Sequence, residues 1–469
     1  MDRRQFLRYS AAATASAALP GLALGKDRED RPNIVLIFMD DLGWKDVGYM
    51  GSEYYETPNI DRLAGQGMVF TDAYTNAPNC APTRACLMSG QYGPRHGIYT
   101  VGSSKRGKSK DRKLIPIENT TQLPGDTVTI AEDLKRAGYA TAMLGKWHLG
   151  GDPGPEGQGF DVVATRNEAG FRKYWRDKKN GSGREYLTDW LTDKAIDFMD
   201  ENSDRPFFLY LSHHAVHKPL RAKQELIEKY KEKPGSHGQN NPTYAAMIES
   251  SDQSVGRVLD KLDEMGVADN TFVMFYSDNG GYGGYQKWGI KKDEITSQAP
   301  LRGGKGMLYE GGIRVPMAVR WPGVVEPGST CDTPVTSIDL FPTFQDVAGL
   351  QKRPDHVLDG ESMVPLLDQI GGLERDAIFW HSPVYLQANK GTFRTRPGGA
   401  IRMGEYKLHE YFEDGHLELY NLADDIGERH NLVDEMPQKT RELHRRMKQW
   451  RRSVDAPVPT KLNPDYKPD

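Results

Sequence analysis

The sequence predicts an α/β fold: a large, mixed but mostly parallel sheet sandwiched by helices, followed by a smaller antiparallel sheet with its own helix. Three observations carry that reading. Short apolar runs rich in Val, Ile and Phe recur along the chain, each too short for a helix of that hydrophobicity and suited to strands covered on both faces. A helix-then-strand alternation is written into residues 128–144. Beyond residue 373 the pattern changes to closely spaced short strands and one long amphipathic helix.

The elements follow in chain order. Residues 1–25 carry Arg3 and Arg4 ahead of Phe6 and Leu7, then a small-residue, mildly apolar run. This is the pattern of a twin-arginine export signal, and its apolar part is too short to span a bilayer. The expected destination is the periplasm or cell surface of a bacterium, reached through the twin-arginine translocase, and no integral membrane segment is expected. NIVLIFM at residues 33–39 is the first strand and stops at Asp40 and Asp41. Residues 128–137 read as a helix with Gly138 as its C-cap; the strand 140–144 follows and runs into Gly145, Lys146, Trp147 and His148. A third strand, 207–211, ends in Ser212, His213, His214 and then His217; a fourth, 271–276, ends in Ser277, Asp278, Asn279, Gly280 and Gly281. The Gly371-Gly372 pair marks a boundary near Leu373, giving a large domain over 26–373 and an α+β subdomain over 374–469. In the subdomain, strands are expected at 377–380, 400–403, 407–411 and 417–420, the last two joined through Glu413-Asp414-Gly415, with a helix over 437–454 and an extended strap or frayed end from Ala456.

Composition narrows the function. Lys plus Arg is 61 and Asp plus Glu is 65, so 61 − 65 gives a net charge of −4 and no electrostatic reason to expect nucleic-acid binding. The cysteines are Cys80, Cys86 and Cys331, an odd number without framework spacing, which argues against a disulfide scaffold. Cys86 and Cys331 read as structural.

In open, mostly parallel sheets the ligand crevice lies beyond the carboxyl ends of the strands, and all four predicted strands end in charged or metal-competent residues. An Asp pair or an Asp-Asn-Gly-Gly run is by itself a good turn, and a lone His or Lys is ordinary structure. Together, three carboxylates and an Asn amide oxygen are hard oxygen ligands suited to Ca²⁺ or Mg²⁺, while Lys and His beside them suit an anion. The stretch NAPNCAPTRACLMSG adds Cys80, placed just before a helix that starts at Pro82, where backbone N–H groups favour an anion and Arg84 can reach back to residue 80. As a thiolate Cys80 would be a reactive nucleophile, yet nothing protease-like surrounds it.

At these residues the chain resembles the type I, formylglycine-dependent sulfatases of the alkaline-phosphatase-like superfamily, bacterial carbohydrate sulfatases among them. Cys80, Pro82 and Arg84 match the C-x-P-x-R core, GYATAMLGKWH at 138–148 matches a second signature, and Asp40-Asp41, His217-Lys218-Pro219, Asp278-Asn279, Gly304-Lys305-Gly306 and YEGGIRVP at 309–316 recur in the family's order. The resemblance implies that a formylglycine-generating or radical maturating enzyme oxidises Cys80 to formylglycine, whose hydrate attacks the sulfur and then expels sulfate. It implies that Asp40, Asp41, Asp278, Asn279 and modified residue 80 hold Ca²⁺, with Mg²⁺ as the alternative. It assigns Arg84, Lys146 and Lys305 to the sulfate oxygens, His148 to the base and His217 to the acid, with His214 either a substrate contact or a rival for the acid role.

Substrate selectivity is expected from loops. Phe171, Tyr174, Trp175, Tyr186 and Trp190 are placed either for core packing or for stacking on sugar rings, and the basic run 102–113 reads as a solvated face or a dock for a polyanion. Arg302, His381, Arg394, Arg396 and Arg402 are further candidates for substrate contact. The expected substrate is a sulfated saccharide, with galactose or N-acetylgalactosamine sulfates first. The rivals are a phosphonate monoester or phosphodiester hydrolase of the same superfamily and a non-catalytic saccharide-binding relative.

Overall fold

A computed structural model describes residues 31–166, 186–286, 294–389 and 392–468. Ten strands belong to the larger part: β1 (Asn33–Met39), β2 (Met68–Phe70), β3 (Ala73–Tyr74), β4 (Ala140–Gly145), β5 (Val162–Ala164), β6 (Phe207–Ser212), β7 (Thr271–Ser277), β8 (Ala318–Arg320), β9 (Ser329–Cys331) and β10 (Val335–Thr336). Eight of them form one sheet in the order β5-β4-β6-β1-β7-β8-β2-β9, and β10 pairs with β3. The four strands expected to end in chemistry are therefore neighbours. β4, β6, β1 and β7 run parallel, with Ile34 of β1 level with Phe208 of β6 and Phe272 of β7, so their carboxyl ends open on one edge. β8 is antiparallel to both its neighbours.

Side chains alternate across each strand, and both faces are covered, which is why the runs are continuously apolar. Ile34, Leu36, Phe38, Phe208, Tyr210, Phe272 and Met274 pack on one side with Leu87, Ile130, Leu134 and Phe344. Val35, Ile37, Leu209, Leu211, Val273 and Phe275 pack on the other with Leu191, Phe198, Ile248, Val255 and Leu259. The helix before β4 spans Ile130–Arg136, shorter than the expected 128–137. Thr129 accepts from the Glu132 N–H at 3.2 Å while the Glu132 carboxylate accepts from the Thr129 N–H at 2.7 Å, a capping box that sets the first helical residue at 130.

The smaller sheet is antiparallel, with β11 (Ala377–Ser382), β14 (Gly398–Met403), β15 (Tyr406–Tyr411) and β16 (Leu417–Asn421) in that order, backed by a helix over Pro437–Ser453. A hairpin of β12 (Leu386–Asn389) and β13 (Thr392–Thr395), not expected from the sequence, lies between β11 and β14 in the chain. The C-terminal segment is a strap: the N–H groups of Ile115, Asn463 and Lys467 bond to Lys461, Lys113 and Lys110 carbonyls, each at 2.9 Å. It pins the basic run 102–113, within which Arg112 is buried and bonds the carbonyls of Lys105 at 2.9 Å and Gly107 at 2.6 Å. That run is thus anchored at Arg112 and along the strap, while Lys105, Lys108 and Lys110 are exposed, as a solvated face requires. Among the described residues no helix is long and apolar enough to cross a membrane.

Candidate active site at the strand ends

Asp40 and Asp41 leave β1 directly, and Asp41 turns with a left-handed φ of 66°, a strained conformation for a non-glycine residue. It is held there by its own N–H, which donates to Asp278 Oδ1 at 3.1 Å. Asp278 Oδ2 in turn accepts from Arg84 Nε at 3.0 Å and Nη2 at 2.7 Å. Asp41 Oδ1 accepts from Asn279 Nδ2 at 2.9 Å and from Lys305 Nζ. Asp40 Oδ2 accepts from Lys146 Nζ at 2.5 Å. Lys305 Nζ also lies 3.2 Å from Cys80 Sγ, so strands β1, β4 and β7, the glycine-rich turn and the Cys80 helix converge on one point. Ligand atoms of Asp40, Asp41, Cys80 and His217 all lie within 4.8 Å of one another.

Two buried oxygens in this cluster have no hydrogen-bond donor among the described residues: Asp40 Oδ1 and Asn279 Oδ1. Buried polar atoms are rarely left so, and oxygens of this kind beside two further carboxylates are what a hard divalent cation needs. The protonation balance agrees. Burial raises Asp40 and Asp41, but Lys146 beside Asp40, Lys305 beside Asp41 and His217 near both outweigh it and hold both low. Asp278 is pushed up to about 6 by burial and by the Asp40 charge, against Arg84. Crowded carboxylates that push one member up are relieved by a cation. The donor set therefore fits a divalent ion.

Cys80 begins the helix Cys80–Ser89 instead of preceding it, because Asn79 adopts the extended N-cap conformation. Pro82 then falls at the third helical position, where its missing N–H is no loss. Burial pushes the Cys80 thiol up to about 12, over the opposing effect of Lys146 and Lys305. The unmodified thiol is accordingly a poor nucleophile at neutral pH, contrary to the reactivity its helix position suggests.

Arg84 differs from expectation. It is fully enclosed, and besides Asp278 it bonds the Lys146 carbonyl at 2.7 Å, Ser212 Oγ at 2.5 Å and Tyr210 OH at 3.3 Å. The structure gives it the task of fixing Asp278 and the β4 and β6 ends, not of facing an open pocket. Ser212, placed by the sequence reading among the residues that end the third strand, and Tyr210, read there as a plain strand residue, are part of that scaffold.

Lys146, His148, His214 and His217 line a cleft of about 620 Å³ with Asp40, Val101, Trp147 and Glu156. His148 also has a positive φ, 66°. Its pKa is lowered to about 3, first by burial and then by Lys146, so the ring is neutral and its Nδ1 has no partner among the described residues. Burial holds His214 well below its ordinary value. His217 Nδ1 donates to the Lys218 carbonyl at 2.6 Å, leaving Nε2 3.7 Å from Asp41 Oδ2. His213 is structural, 3.1 Å from Ser254 Oγ.

The candidates from the smaller sheet are mostly elsewhere. His381 is buried, with Nε2 2.9 Å from the Pro457 carbonyl and its ring against Phe412. Arg402 pairs with Asp72 and Tyr74 in the contact between the two sheets. Arg302 bonds Tyr420 OH at 2.8 Å and the Glu428 carbonyl at 2.6 Å, and Arg396 pairs with Glu413 at 2.7 Å. These four do structural work: neutral partners, aromatic rings and carboxylates of the protein already occupy them. Arg394 alone turns toward the site, as described below. Tyr186, bonded to the Arg221 carbonyl at 2.9 Å, and Trp190, packed on the core, serve packing, while Phe171, Tyr174 and Trp175 lie outside the described residues.

The sulfatase family profile matches residues 32–350. The chain belongs to the sulfatase family. It is a sulfuric ester hydrolase of the alkaline-phosphatase-like fold. A second profile, N-sulphoglucosamine sulphohydrolase, C-terminal, matches residues 304–453 of this sulfatase, and a TAT (twin-arginine translocation) pathway signal sequence matches residues 1–20, which marks the chain for export. It is 36% identical to a sulfatase of Formosa agariphila, covering 92% of this chain and 91% of that one. It is 32% identical to the N-acetylgalactosamine-6-sulfatase of Mus musculus, covering 84% and 74%. Among solved structures, Ps i-CgsB in complex with k-i-k-neocarrahexaose is 31% identical with a TM-score of 0.74, covering 92% and 95%.

Proposed function

We propose that this sulfatase hydrolyses a sulfate ester carried by a saccharide, a galactose or N-acetylgalactosamine sulfate in the first instance, with Cys80 converted to formylglycine and a Ca²⁺ ion (Mg²⁺ as the alternative) held by Asp40, Asp41, Asp278 and Asn279. The observation that carries the reading is the pair of unpartnered buried oxygens, Asp40 Oδ1 and Asn279 Oδ1, set beside Asp41 and residue 80. The relative named N-acetylgalactosamine-6-sulfatase and the solved neighbour in complex with k-i-k-neocarrahexaose support a saccharide substrate.

Bound there, the cation would supply Lewis-acid polarisation of the ester and the hydrated aldehyde would supply a hydroxyl nucleophile. The chain's own residues do the rest. Lys146 and Lys305, both held charged despite burial by the neighbouring Asp40 and Asp41, take sulfate oxygens and offset the charge gathering on them in the transition state. Neutral His148 accepts a proton at a ring nitrogen. His217 keeps its Nδ1–H on the Lys218 carbonyl and, acting as the imidazolium, gives its Nε2 proton to the departing alcohol, returning to the neutral ring; His214 in the same cleft is the rival for that role. Arg84 acts through Asp278 as a positioning residue.

The test joins three measurements on protein co-produced with a formylglycine-generating or radical maturating enzyme: labelling of the Cys80 peptide by an aminooxy reagent, metal analysis of the purified protein, and sulfate released from defined saccharide sulfates. Labelling together with sulfate release that is lost in Cys80→Ala is expected. Sulfate release without an aldehyde at residue 80 overturns the nucleophile, and retention of full activity by His217→Ala with its loss in His214→Ala reassigns the acid.

A further inference from the structure

Arg106 and Arg394 come from distant parts of the chain, the pinned basic run and the unexpected β12–β13 hairpin, and the two segments are joined: the Tyr385 N–H donates to the Ser104 carbonyl at 3.2 Å and Lys105 bridges to Tyr385. Arg394 packs directly on the backbone after Lys305: the place a Cβ would take at Gly306 lies 3.4 Å from its Cβ and 3.6 Å from its Cδ, and Thr395 next to it bonds the Gly306 carbonyl. Its guanidinium sits 5.1 Å from the Tyr282 ring and 5.5 Å from that of Tyr285, whose OH donates to the Lys305 carbonyl at 2.8 Å. Lys218, next to His217, lies 3.6 Å from the same Tyr282 ring. Arg106 bonds the carbonyl of Val101, a residue of the cleft wall.

Neither arginine has a carboxylate partner among the described residues; Arg394 bonds Tyr285, and its Nε is buried with no acceptor. Their charges act on each other: Arg106 is held below its ordinary value by burial and then by Arg394, with the nearby Cys80 working the other way. Burial lowers Arg394, but Tyr285 and Tyr282, and after them Asp41, outweigh it and hold the guanidinium above its ordinary value. Tyr285 and the Val101 carbonyl use only part of the two guanidinium forks, and a planar fork with donors to spare and no bonded carboxylate suits a second oxyanion.

We propose that Arg106 and Arg394 form an anion subsite that takes a second negatively charged group, sulfate or carboxylate, of the same saccharide whose ester is cleaved. This deepens the saccharide-sulfatase reading and rests on it: substrates are dianionic or more highly charged around the cleaved position.

The experiment compares kcat/KM of the matured full-length protein on N-acetylgalactosamine 6-sulfate, N-acetylgalactosamine 4,6-disulfate, and a disaccharide joining a uronate to N-acetylgalactosamine 6-sulfate. Wild type is expected to prefer one of the two dianionic substrates by roughly tenfold or more, as a charge-assisted contact provides; which one it prefers identifies the group as sulfate or carboxylate. Arg394→Gln and Arg106→Gln are expected to bring that ratio close to one, mainly through KM, with Arg394→Lys keeping part of it. Because the ratio is internal to each variant, partial unfolding cancels from it. A wild-type ratio near one, or a preference untouched by either substitution, overturns the subsite while leaving the saccharide-sulfatase reading intact. No sulfate released from any of the three by wild type overturns both.

Discussion

Replacing Arg84 by Met tests whether this arginine serves the protein or the substrate. Arg84 and Asp278 are both fully enclosed, 2.7 Å apart, and the arginine also ties the Lys146 carbonyl and Ser212 to the same point. Removing one partner of such a pair leaves an uncompensated buried charge, at a cost of about 3–5 kcal/mol. Here Asp278 would be left among Asp40 and Asp41, whose charges already oppose its ionisation. In urea unfolding followed by tryptophan fluorescence, with a slope of about 3 kcal/mol/M or steeper for a chain of this size, the midpoint of Arg84→Met should fall by on the order of 1 M. Asp278→Asn should cost a comparable amount, because it strands the arginine. The double variant should then be less damaging than the two costs added, by about 2 kcal/mol, the sign of direct coupling. Divalent-ion content should fall in each single variant, since Asp278 also anchors the Asp41 backbone. Costs under about 1 kcal/mol that simply add, with KM raised and stability untouched, would refute the reasoning and return Arg84 to the sulfate oxygens.

Other outcomes follow from the same geometry. Chelation of divalent ions should abolish sulfate release and lower the thermal midpoint, both restored by Ca²⁺, because an ion bound only by the folded chain stabilises it and Lys146, Lys305 and Arg84 only partly offset the crowding of Asp40, Asp41 and Asp278; activity unmoved by exhaustive chelation counts against the metal site. Acid should weaken the fold: His96 is held to about 3, and His213 and His381 to about 4, all by burial. Their folded values lie below the unfolded value of about 6.5, so the unfolded chain binds more protons and stability is lost as pH falls from about 6.5, by up to about 2 kcal/mol for each histidine at pH 5. Equal urea midpoints at pH 7.5 and pH 5 would contradict this. Ending the chain after Asp455 should expose the Ile115 amide, whose acceptor is the Lys461 carbonyl, and raise its hydrogen exchange; undiminished protection there would show that the strap does not hold the basic run.

What the sequence disclosed, and what it hid, divides along reach. β1, β4, β6 and β7 were legible to within a residue at each end because burial on both faces leaves no polar position to blur them, and the residues at their ends were legible because a parallel sheet collects such ends on one edge. Backbone position, however, does not say where a long side chain goes. Arg84 was placed correctly on its helix, yet its guanidinium had Asp278, Ser212 and a main-chain carbonyl within reach as well as residue 80, and burial chose the carboxylate. The same freedom drew Arg402 to Asp72 and His381 to Pro457, positions where neither meets the cleft. The β12–β13 hairpin escaped notice because LQANKGTFRT has neither a continuous apolar run nor a clean alternation. Its register is irregular, shifting between Leu386 and Gln387 and again before Asn389, and it is held by contacts with distant residues, Thr395 bonding the Gly306 carbonyl and Leu386 lying against Gly306. A segment stabilised by what it lies against leaves little local trace, and in this sulfatase that segment brings Arg394 to the loop that carries Lys305. Contacts between distant stretches are therefore hidden from a local reading, while the polar residues of the site stand at strand ends that the chain states one after another.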